Sequence, residues 1–590
     1  MSGIRTTFKN LIYLIKLCVS DCPRMLLINT SFGAIVAMQT ILLIVMPKLI
    51  LNTIIVNSNF KRALFYIVLL TLGESLCHHG LSYFSELSSI YNDKIVHDML
   101  LRLSQKATRI SYADIKRNEL IEKYRLAQNV TFGMEYRVAI LFCDFFSNFL
   151  KLATIITVIT VVNGWMALAI FVLIVLKLLL VDYGNRKAME FRCREESENV
   201  RYNYVLELCS KLAFAKEIRT YDVEKFMRKR YEQSRDSKFA IAKSQMRMAD
   251  KLGFGENFAD AMMVAISYLM IVYRYVKGFI TISSFTMYLT ALGEVYSTIA
   301  QILKTLTDLT DTNRLVEQYR KFMEYPENTY AKNKQQEIKL YDNNTIEFRN
   351  VSFKYPNMEQ YALRNVNVVL SGREKVGIVG ENGAGKSTFV KLLLRLYDVS
   401  EGEILLNGVN IKNYDYDEYA KVFSVVPQDY ALFFFGIAEN IAFDKYKEEI
   451  DNVKKNLIRV DMLKKVEKLP YGMDTYLSKW FSKGTDFSGG ETQRIAIARG
   501  LFRDAGILVM DEPNAAIDPI AEHIINQSVN QVSENKMVFN ISHRLSMMRF
   551  CDHILVFDKG MLLEDGSHDK LMKDGELYKQ MFDLQARYYQ

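Results

Sequence analysis

One segment decides the fold of this 590-residue chain: Gly380-Glu381-Asn382-Gly383-Ala384-Gly385-Lys386-Ser387-Thr388. It follows the strand-like run 375–379 and precedes the helix-forming stretch 389–396. A strand, a glycine-rich loop and a helix in this order are typical of a P-loop. The glycines let backbone N–H groups surround phosphate oxygens, and the helix N-terminus adds the positive end of its dipole. We therefore expect Lys386 to reach the β- and γ-phosphates of a nucleotide and Ser387 to supply a hydroxyl to Mg²⁺.

Two further apolar runs end in residues suited to nucleotide hydrolysis. The run 506–510 ends in Asp511 and Glu512, and the run 537–540 precedes His543. In an open α/β sheet the carboxyl ends of the strands face the ligand crevice. We expect Asp511 to hold Mg²⁺, Glu512 to orient the attacking water and His543 to stabilise charge on the γ-phosphate. A core or surface histidine is the alternative interpretation of His543.

The first half of the chain carries apolar stretches long enough to cross a bilayer. A helix of about 20 mostly apolar residues spans the hydrocarbon core. Segments of this length lie at about 25–52, 63–85, 138–162, 164–183, 254–276 and 284–306. We therefore predict a bundle of six spans within residues 1–306, a polar linker at 307–342 and an α/β domain at 343–590.

Positive charge is concentrated in the two long connections of the membrane half, 86–137 and 184–253. The short connections hold few basic residues, chiefly Lys61, Arg62 and Lys277. The positive-inside rule places the long connections, the N-terminus and the α/β domain in the cytoplasm. The net charge of +8 therefore reflects topology, and no nucleic-acid partner is expected. The long connections are rich in good helix formers and should extend the spans as helices.

Two other compositional features bear on function. The seven cysteines form no CxxC pair and no metal-ligand spacing, so neither a zinc site nor a redox motif is expected. Four acidic residues fall within the predicted spans: Asp144, Glu256, Asp260 and Glu294. Charges in spans are costly and usually face a cavity or a partner helix. They predict either an acidic, water-filled substrate path or polar contacts between helices, unless they lie at helix ends outside the bilayer.

The most specific motif is Phe487-Ser488-Gly489-Gly490-Glu491, which resembles the ABC ATPase signature, usually LSGGQ. The C-terminal half resembles an ABC ATPase domain with an antiparallel β subdomain, and the whole chain resembles an ABC exporter half-transporter. The resemblance implies that Tyr355 stacks on adenine, that Gln428 of the Q-loop contacts Mg²⁺ and that Asp518 belongs to the D-loop.

The predicted site can now be stated in full. The expected catalytic residues are Glu512, His543, Gln428 and Lys386. The expected metal ligands are Ser387, Gln428 and Asp511. The expected ATP-binding residues are Tyr355, Gly380, Glu381, Asn382, Gly383, Ala384, Gly385, Lys386, Ser387, Thr388, Ser488, Gly489, Gly490, Glu491 and Asp518.

The resemblance also implies a dimer that closes head to tail around two ATP molecules. Each ATP then lies between the P-loop of one chain and the signature of the other. The backbone amides of Gly489 and Gly490 open a helix and form a second anion site, which is completed only across an interface. ATP therefore favours the closed state, and hydrolysis releases it. We expect a second half-transporter as partner, with a homodimer the commoner arrangement, and contact helices near 111–117 and 214–221.

Three departures from the family pattern leave the partner and the cargo open. Phe487 replaces Leu, Glu491 replaces Gln, and residues 515–518 read AAID where SALD is usual. A heterodimer therefore remains an alternative. The segments 484–491 and 518–522 resemble exporters of lantibiotics and related bacterial peptides, which predicts outward peptide transport across a bacterial cell membrane. A lipid flippase or multidrug exporter is the second interpretation, and a non-pumping ATP-gated or regulatory protein is the third.

Overall fold

The computed structural model describes residues 9–133, 144–155, 198–327 and 344–587, with short gaps inside these ranges. The chain divides into two units. The first comprises Met1–Thr108 and Asn118–Tyr325, and the second comprises Arg109–Arg117 and Pro326–Gln590. The second unit is therefore discontinuous in the sequence.

The first half of the chain is helical wherever it is described in regular structure. The helices whose bounds are described are α1 (Arg24–Ile55), α2 (Phe60–Arg109), α3 (Tyr112–Ile115), α4 (Asn118–Gly133), α5 (Ala215–Thr220), α6 (Glu224–Val276) and α7 (Ile282–Met323). Helices α2 and α6 are 50 and 53 residues long. Each continues without interruption between an apolar segment and a charged one. The predicted helical extension of the spans is thus confirmed for 86–109 and 224–253, and it stays a prediction for the parts of the long connections outside the described residues.

Among the described helices, α1, α2 and α6 are long and apolar enough to cross a membrane. They contain the predicted spans 25–52, 63–85 and 254–276. The predicted span 284–306 lies in α7, which continues to Met323. The predicted spans 138–162 and 164–183 lie mostly or wholly outside the described residues, so the count of six stays a prediction.

Helix α7 is the packing centre of the first unit. Its buried side chains recur three or four residues apart, which places them on one helical face. They are Met287, Tyr288, Ala291, Leu292, Val295, Ile299 and Leu303. This face packs against Ile44 of α1 and Ile271 of α6. Further along α7, the Tyr319 hydroxyl donates to the Met99 carbonyl of α2 at 3.0 Å.

The second unit contains two sheets. Its strands are β1 (Thr345–Phe353), β2 (Leu363–Ser371), β3 (Lys375–Gly380), β4 (Glu401–Leu406), β5 (Val409–Asn410), β6 (Phe423–Val426), β7 (Ile507–Asp511), β8 (Met537–Ile541), β9 (His553–Asp558) and β10 (Met561–Gly566). The order β2-β1-β4-β5 forms an antiparallel sheet, and the order β10-β9-β3-β8-β7-β6 forms a sheet that is parallel except at β10. The predicted α/β domain with an antiparallel β subdomain is thereby confirmed.

Helices cover these sheets and connect their strands. They are α8 (Lys386–Leu393), α9 (Tyr416–Lys421), α10 (Ile437–Ala442), α11 (Ile450–Arg459), α12 (Leu463–Glu467), α13 (Gly489–Phe502), α14 (Pro519–Ser533), α15 (His568–Asp574) and α16 (Leu577–Arg587). The stacked rings of Phe348 and Phe389, with centroids 4.2 Å apart, join β1 to α8 in the core.

The short segment Arg109–Arg117 belongs to the second unit although it lies far from it in the sequence. Ser111 caps α3 by accepting from the Asp114 N–H at 3.0 Å. The Tyr112 ring meets the Tyr397 ring edge to face, with centroids 5.6 Å apart. This confirms the predicted contact helix near 111–117. The second predicted contact helix coincides with α5, where Tyr221 is exposed.

Candidate functional site

Neighbouring parallel strands place the predicted catalytic groups at one edge of the sheet. Strands β3, β8, β7 and β6 are adjacent and parallel. The P-loop follows β3, His543 follows β8, Glu512 follows β7 and Gln428 follows β6. Because the carboxyl ends of parallel strands share an edge, these groups converge on the crevice expected for a ligand.

The P-loop geometry depends on a glycine at the start of α8. Gly385 has a φ of 106°, a conformation that residues with a Cβ rarely adopt. A Cβ at Gly385 would lie 2.7 Å from Leu363 Cδ2 and 3.0 Å from the Ala362 carbonyl oxygen. Both the backbone angle and the available space therefore require glycine.

Lys386 is folded back on its own loop in this structure. Its Nζ donates to the carbonyl oxygens of Gly380 at 2.8 Å and Glu381 at 2.9 Å. Only 6% of the residue is exposed, and burial lowers the pKa of the amine below its ordinary value. The ammonium group is thus kept within the loop by acceptors that phosphate oxygens can replace.

Glu512 is the centre of the predicted catalytic group. Gln428 Nε2 donates to Glu512 Oε2 at 2.9 Å, and His543 Nε2 lies 2.5 Å from Glu512 Oε1. The Glu512 backbone has a φ of 50° and donates its N–H to the Ile541 carbonyl at 3.0 Å. This left-handed turn redirects the chain as it leaves β7. The structure therefore brings together three of the four residues predicted to be catalytic.

Asp511 has the properties of a magnesium ligand. Burial, together with the neighbouring Glu512 carboxylate, raises the pKa of Asp511 to about 6. Its Oδ1 is buried and has no hydrogen-bond partner among the described residues. A buried, unpartnered carboxylate oxygen is costly unless a cation compensates it. Mg²⁺ prefers oxygen ligands, so the predicted set Ser387, Gln428 and Asp511 fits this ion chemically.

Tyr355 lies beside the P-loop helix α8. Its hydroxyl is 2.9 Å from Thr388 Oγ1. Its ring meets Phe353 and Tyr397 edge to face, with centroids 5.0 and 5.3 Å apart. Lys391 Nζ lies 5.8 Å from the ring centroid. Stacking of adenine on Tyr355 stays a prediction.

The signature forms a capping box at the start of α13. Ser488 Oγ accepts from the Glu491 N–H at 3.4 Å, and Glu491 Oε2 accepts from the Ser488 N–H at 3.0 Å. The other Glu491 oxygen is paired with Lys465. Although burial opposes it, the Lys465 ammonium and the Ser488 amide hold the pKa of Glu491 below its ordinary value. The unusual acidic residue is therefore both structurally engaged and charge-compensated.

Phe487 keeps an apolar role at the position where the family usually has leucine. Its ring packs against a hydrophobic cluster that contains Leu501 and Ile525. Lys465 Nζ lies 5.7 Å from the ring centroid. The substitution therefore preserves packing next to the signature.

Asp518 caps α14 by accepting from the Ala521 N–H at 3.0 Å. That backbone hydrogen bond lowers the pKa of Asp518 below its ordinary value. Residues 514–517, which complete the predicted D-loop, lie outside the described residues. The role of Asp518 across a dimer interface stays a prediction.

The predicted acidic path residues have different surroundings. Glu294 forms an ion pair of 2.7 Å with Lys151, and the two side chains are 24% and 13% exposed. This pair favours the interpretation of Glu294 as a polar contact between helices. Asp144 and Asp260 are half-buried, whereas the Glu256 side chain lies outside the described residues. A substrate role for these residues stays a prediction.

Three side chains near the site are absent from the sequence prediction. Lys465 forms an ion pair with Glu491. Gln585 of α16 donates to the His543 carbonyl oxygen, and Arg499 of α13 donates to the Ala431 carbonyl oxygen, three residues after Gln428. The capping box has a local signal, because Ser followed three residues later by Glu is typical of one. The other contacts join positions far apart in sequence and have no such signal.

The comparisons with known proteins agree with this geometry. Residues 363–515 match the family model described as ABC transporter. The fold is similar to a solved structure titled as a bacterial Atm1-family ABC exporter with ATP bound. The TM-score is 0.81 at 22% identity, over 96% of this chain and 98% of that one.

Curated relatives include proteins named for two kinds of cargo. The subtilin transport ATP-binding protein SpaT of Bacillus subtilis is 29% identical over 525 residues, which is 86% of this chain and 84% of that protein. The ATP-dependent lipid A-core flippase of Haemophilus influenzae is 39% identical over 244 residues, which is 41% of this chain and 40% of the flippase. The chain thus spans less than half of that flippase.

Proposed function

We propose that this chain is an ABC exporter half-transporter, with an ABC ATPase domain fused to a helical transmembrane domain, and that it exports a cationic bacterial peptide of the lantibiotic kind. The observation that carries this proposal is the similarity to SpaT over 86% of the chain. A match of that length includes the membrane domain, which is the part that contacts cargo.

The ATPase step is assigned to the network around Glu512. The carboxylate, held by Gln428 and His543, orients the water that attacks the γ-phosphate. His543 stabilises charge as it develops on the phosphoryl oxygens. Lys386 leaves the carbonyls of its own loop to contact the β- and γ-phosphates. Ser387, Gln428 and Asp511 would hold Mg²⁺, which would supply positive charge to the phosphates.

A second copy of the chain is proposed to complete each ATP site. The signature amides of Gly489 and Gly490 stand at the N-terminus of the 14-residue helix α13, which is an anion-binding position. We propose that this position binds the ATP held by the partner's P-loop, and that closure of the dimer is transmitted to the membrane domain through 111–117 and 214–221.

The first experiment measures ATP hydrolysis by the purified full-length chain in lipid nanodiscs. We expect Mg²⁺-dependent turnover that Glu512→Gln abolishes, because the attacking water then loses its carboxylate. Turnover by this chain alone supports a homodimer. Absence of turnover from folded, ATP-binding protein would contradict the homodimer and point to a second half-transporter or to a non-pumping role.

The cargo is tested in inside-out liposomes with fluorescent subtilin as the peptide probe. We expect ATP-dependent uptake and stimulated hydrolysis, both lost in Glu512→Gln. Reversing the charge of Glu256 and Asp260 should reduce uptake of this cationic probe. Glu294→Gln serves as the comparison, because that carboxylate is already paired with Lys151. Equal uptake by the charge-reversed and unaltered proteins would contradict an acidic peptide path.

A lipid flippase is the second candidate function, and sequence similarity to the flippase relatives supports it. One of them, from Haemophilus ducreyi, is 34% identical over 353 residues, which is 60% of its length. The same liposomes, loaded with labelled lipid A, separate the two candidates. Lipid translocation without peptide uptake would reject the peptide proposal and support the flippase.

A further inference from the structure

Gln585 of α16 makes two hydrogen bonds to the backbone on either side of Arg544. Its Nε2 donates to the His543 carbonyl oxygen at 2.5 Å. Its Oε1 accepts from the Leu545 N–H at 2.8 Å. A single amide side chain thus satisfies one acceptor and one donor of the loop that carries His543.

The helix that carries Gln585 is firmly anchored to the same unit. The Glu564 carboxylate accepts from the backbone N–H groups of Glu576, Leu577 and Tyr578 at 2.9, 2.8 and 3.1 Å. An acidic group at a helix N-terminus also complements the helix dipole. The Tyr578 side chain is fully buried. These contacts fix helix α16 within the second unit, and they therefore also fix the position of Gln585.

Gln585 also borders the space that the P-loop faces. A cavity of about 440 Å³ is lined by Glu381, Asn382, His543 and Gln585, among others. His543 reaches from this loop to within 2.5 Å of Glu512. The Gln585 amide therefore holds the backbone from which the His543 imidazole extends.

We propose that Gln585 is a positioning residue that fixes His543 for γ-phosphate contact and so couples the C-terminal helix to ATP turnover. This inference rests on the proposed role of His543 in hydrolysis. The two backbone bonds restrict rotation of the loop, and catalytic groups are sensitive to small displacements because their contribution depends on geometry already in place. Gln585 itself touches neither ATP nor water in this role.

The test compares two substitutions at Gln585 with a matched control on the same helix. Gln585→Ala removes both hydrogen bonds. Gln585→Glu keeps an acceptor for Leu545 but loses the donor to the His543 carbonyl. Gln580→Ala is the control, because Gln580 is an exposed glutamine of α16. Each variant is measured as full-length protein in nanodiscs with ATP and Mg²⁺.

We expect Gln585→Ala to lower kcat about tenfold, a loss typical of a slightly misplaced catalytic group, with the KM for ATP within about twofold. Gln585→Glu should fall between wild type and Gln585→Ala, and Gln580→Ala should match wild type. In a His543→Ala background, Gln585→Ala should cause no further loss. Independent losses in the double variant, or an unchanged kcat, would overturn the proposal.

Amide hydrogen exchange supplies a readout that does not depend on turnover. The amides of 542–545 should exchange faster in Gln585→Ala than in Gln580→Ala, because the loop has lost its support. Absence of ATP hydrolysis by the wild-type protein would contradict the proposed function. The exchange rates would still decide the positioning role, since equal protection in both variants would reject it.

Discussion

We expect the loss of Lys465 to weaken ATP binding. Lys465 lies next to the signature, which in the proposed dimer faces the ATP held by the partner's P-loop. Lys465 compensates the carboxylate of Glu491, which occupies the signature position where the family usually has glutamine. In the proposed dimer this position faces the triphosphate held by the partner. Lys465→Met keeps the apolar stem near Phe487 but leaves a negative charge facing that anion.

The structure sets the size of the expected effect. The Lys465 and Glu491 side chains are 46% and 16% exposed, and partly exposed ion pairs contribute about 1 kcal/mol or less to stability. Lys465→Met should therefore fold. For an assumed separation of about 8 Å between Glu491 and the partner-bound phosphate, and an effective dielectric constant of about 40, repulsion between unit charges is about 1 kcal/mol before salt screening. We expect the KM for ATP to rise about threefold to fivefold, since 1.4 kcal/mol corresponds to tenfold.

The assay is a double-mutant cycle on ATP hydrolysis in nanodiscs. Glu491→Gln should bind ATP at least as tightly as wild type, because glutamine preserves the capping box without the charge. The combination of Lys465→Met and Glu491→Gln should restore a KM close to that of Glu491→Gln alone. The rise in KM should also grow at low ionic strength. An unchanged KM in Lys465→Met at low salt, or a double variant as weak as Lys465→Met, would refute the charge-compensation argument.

Three further substitutions test the packing that supports the site. Asn440→Ala should lower the free energy of unfolding by about 2–4 kcal/mol, because the buried amide bonds both backbone groups of Phe433; a urea-unfolding loss below about 1 kcal/mol would contradict this. Gly385→Ala should abolish nucleotide binding, since its φ is 106°; wild-type affinity for a fluorescent ATP analogue would disprove the steric argument. Lys151→Met alone should lower the Tm more than the double variant Lys151→Met/Glu294→Gln, because the single substitution leaves the half-buried Glu294 carboxylate uncompensated. Equal Tm values for the two variants would show that the ion pair does not contribute to stability.

The nucleotide-binding half was predictable because its motifs are local in sequence. The strand, loop and helix around Lys386 are contiguous, and the strand before Glu512 is marked by a continuous apolar run. Parallel topology then brings the motifs together, since strand ends share one edge. In the structure, Glu512 contacts both Gln428 and His543 at this edge.

Contacts between distant positions were not predictable in the same way. Gln585 and Lys465 have no motif of their own, and each becomes relevant only when a helix packs against a loop elsewhere in the chain. In the membrane half, hydropathy located the helices α1, α2 and α6 but not the partner of Glu294. Helical spacing shows which residues share a face of one helix. Only tertiary packing determines that Lys151 lies opposite Glu294.

The inclusion of Arg109–Arg117 in the second unit has a consequence for synthesis on the ribosome. Chain growth produces this segment early, so Tyr112 cannot pack against Tyr397 until about two thirds of the 590 residues have been made. The second unit therefore gains this aromatic contact from a segment outside its C-terminal part. A chimera that exchanges residues 326–590 between relatives should also exchange 109–117, because the two pieces belong to one compact unit.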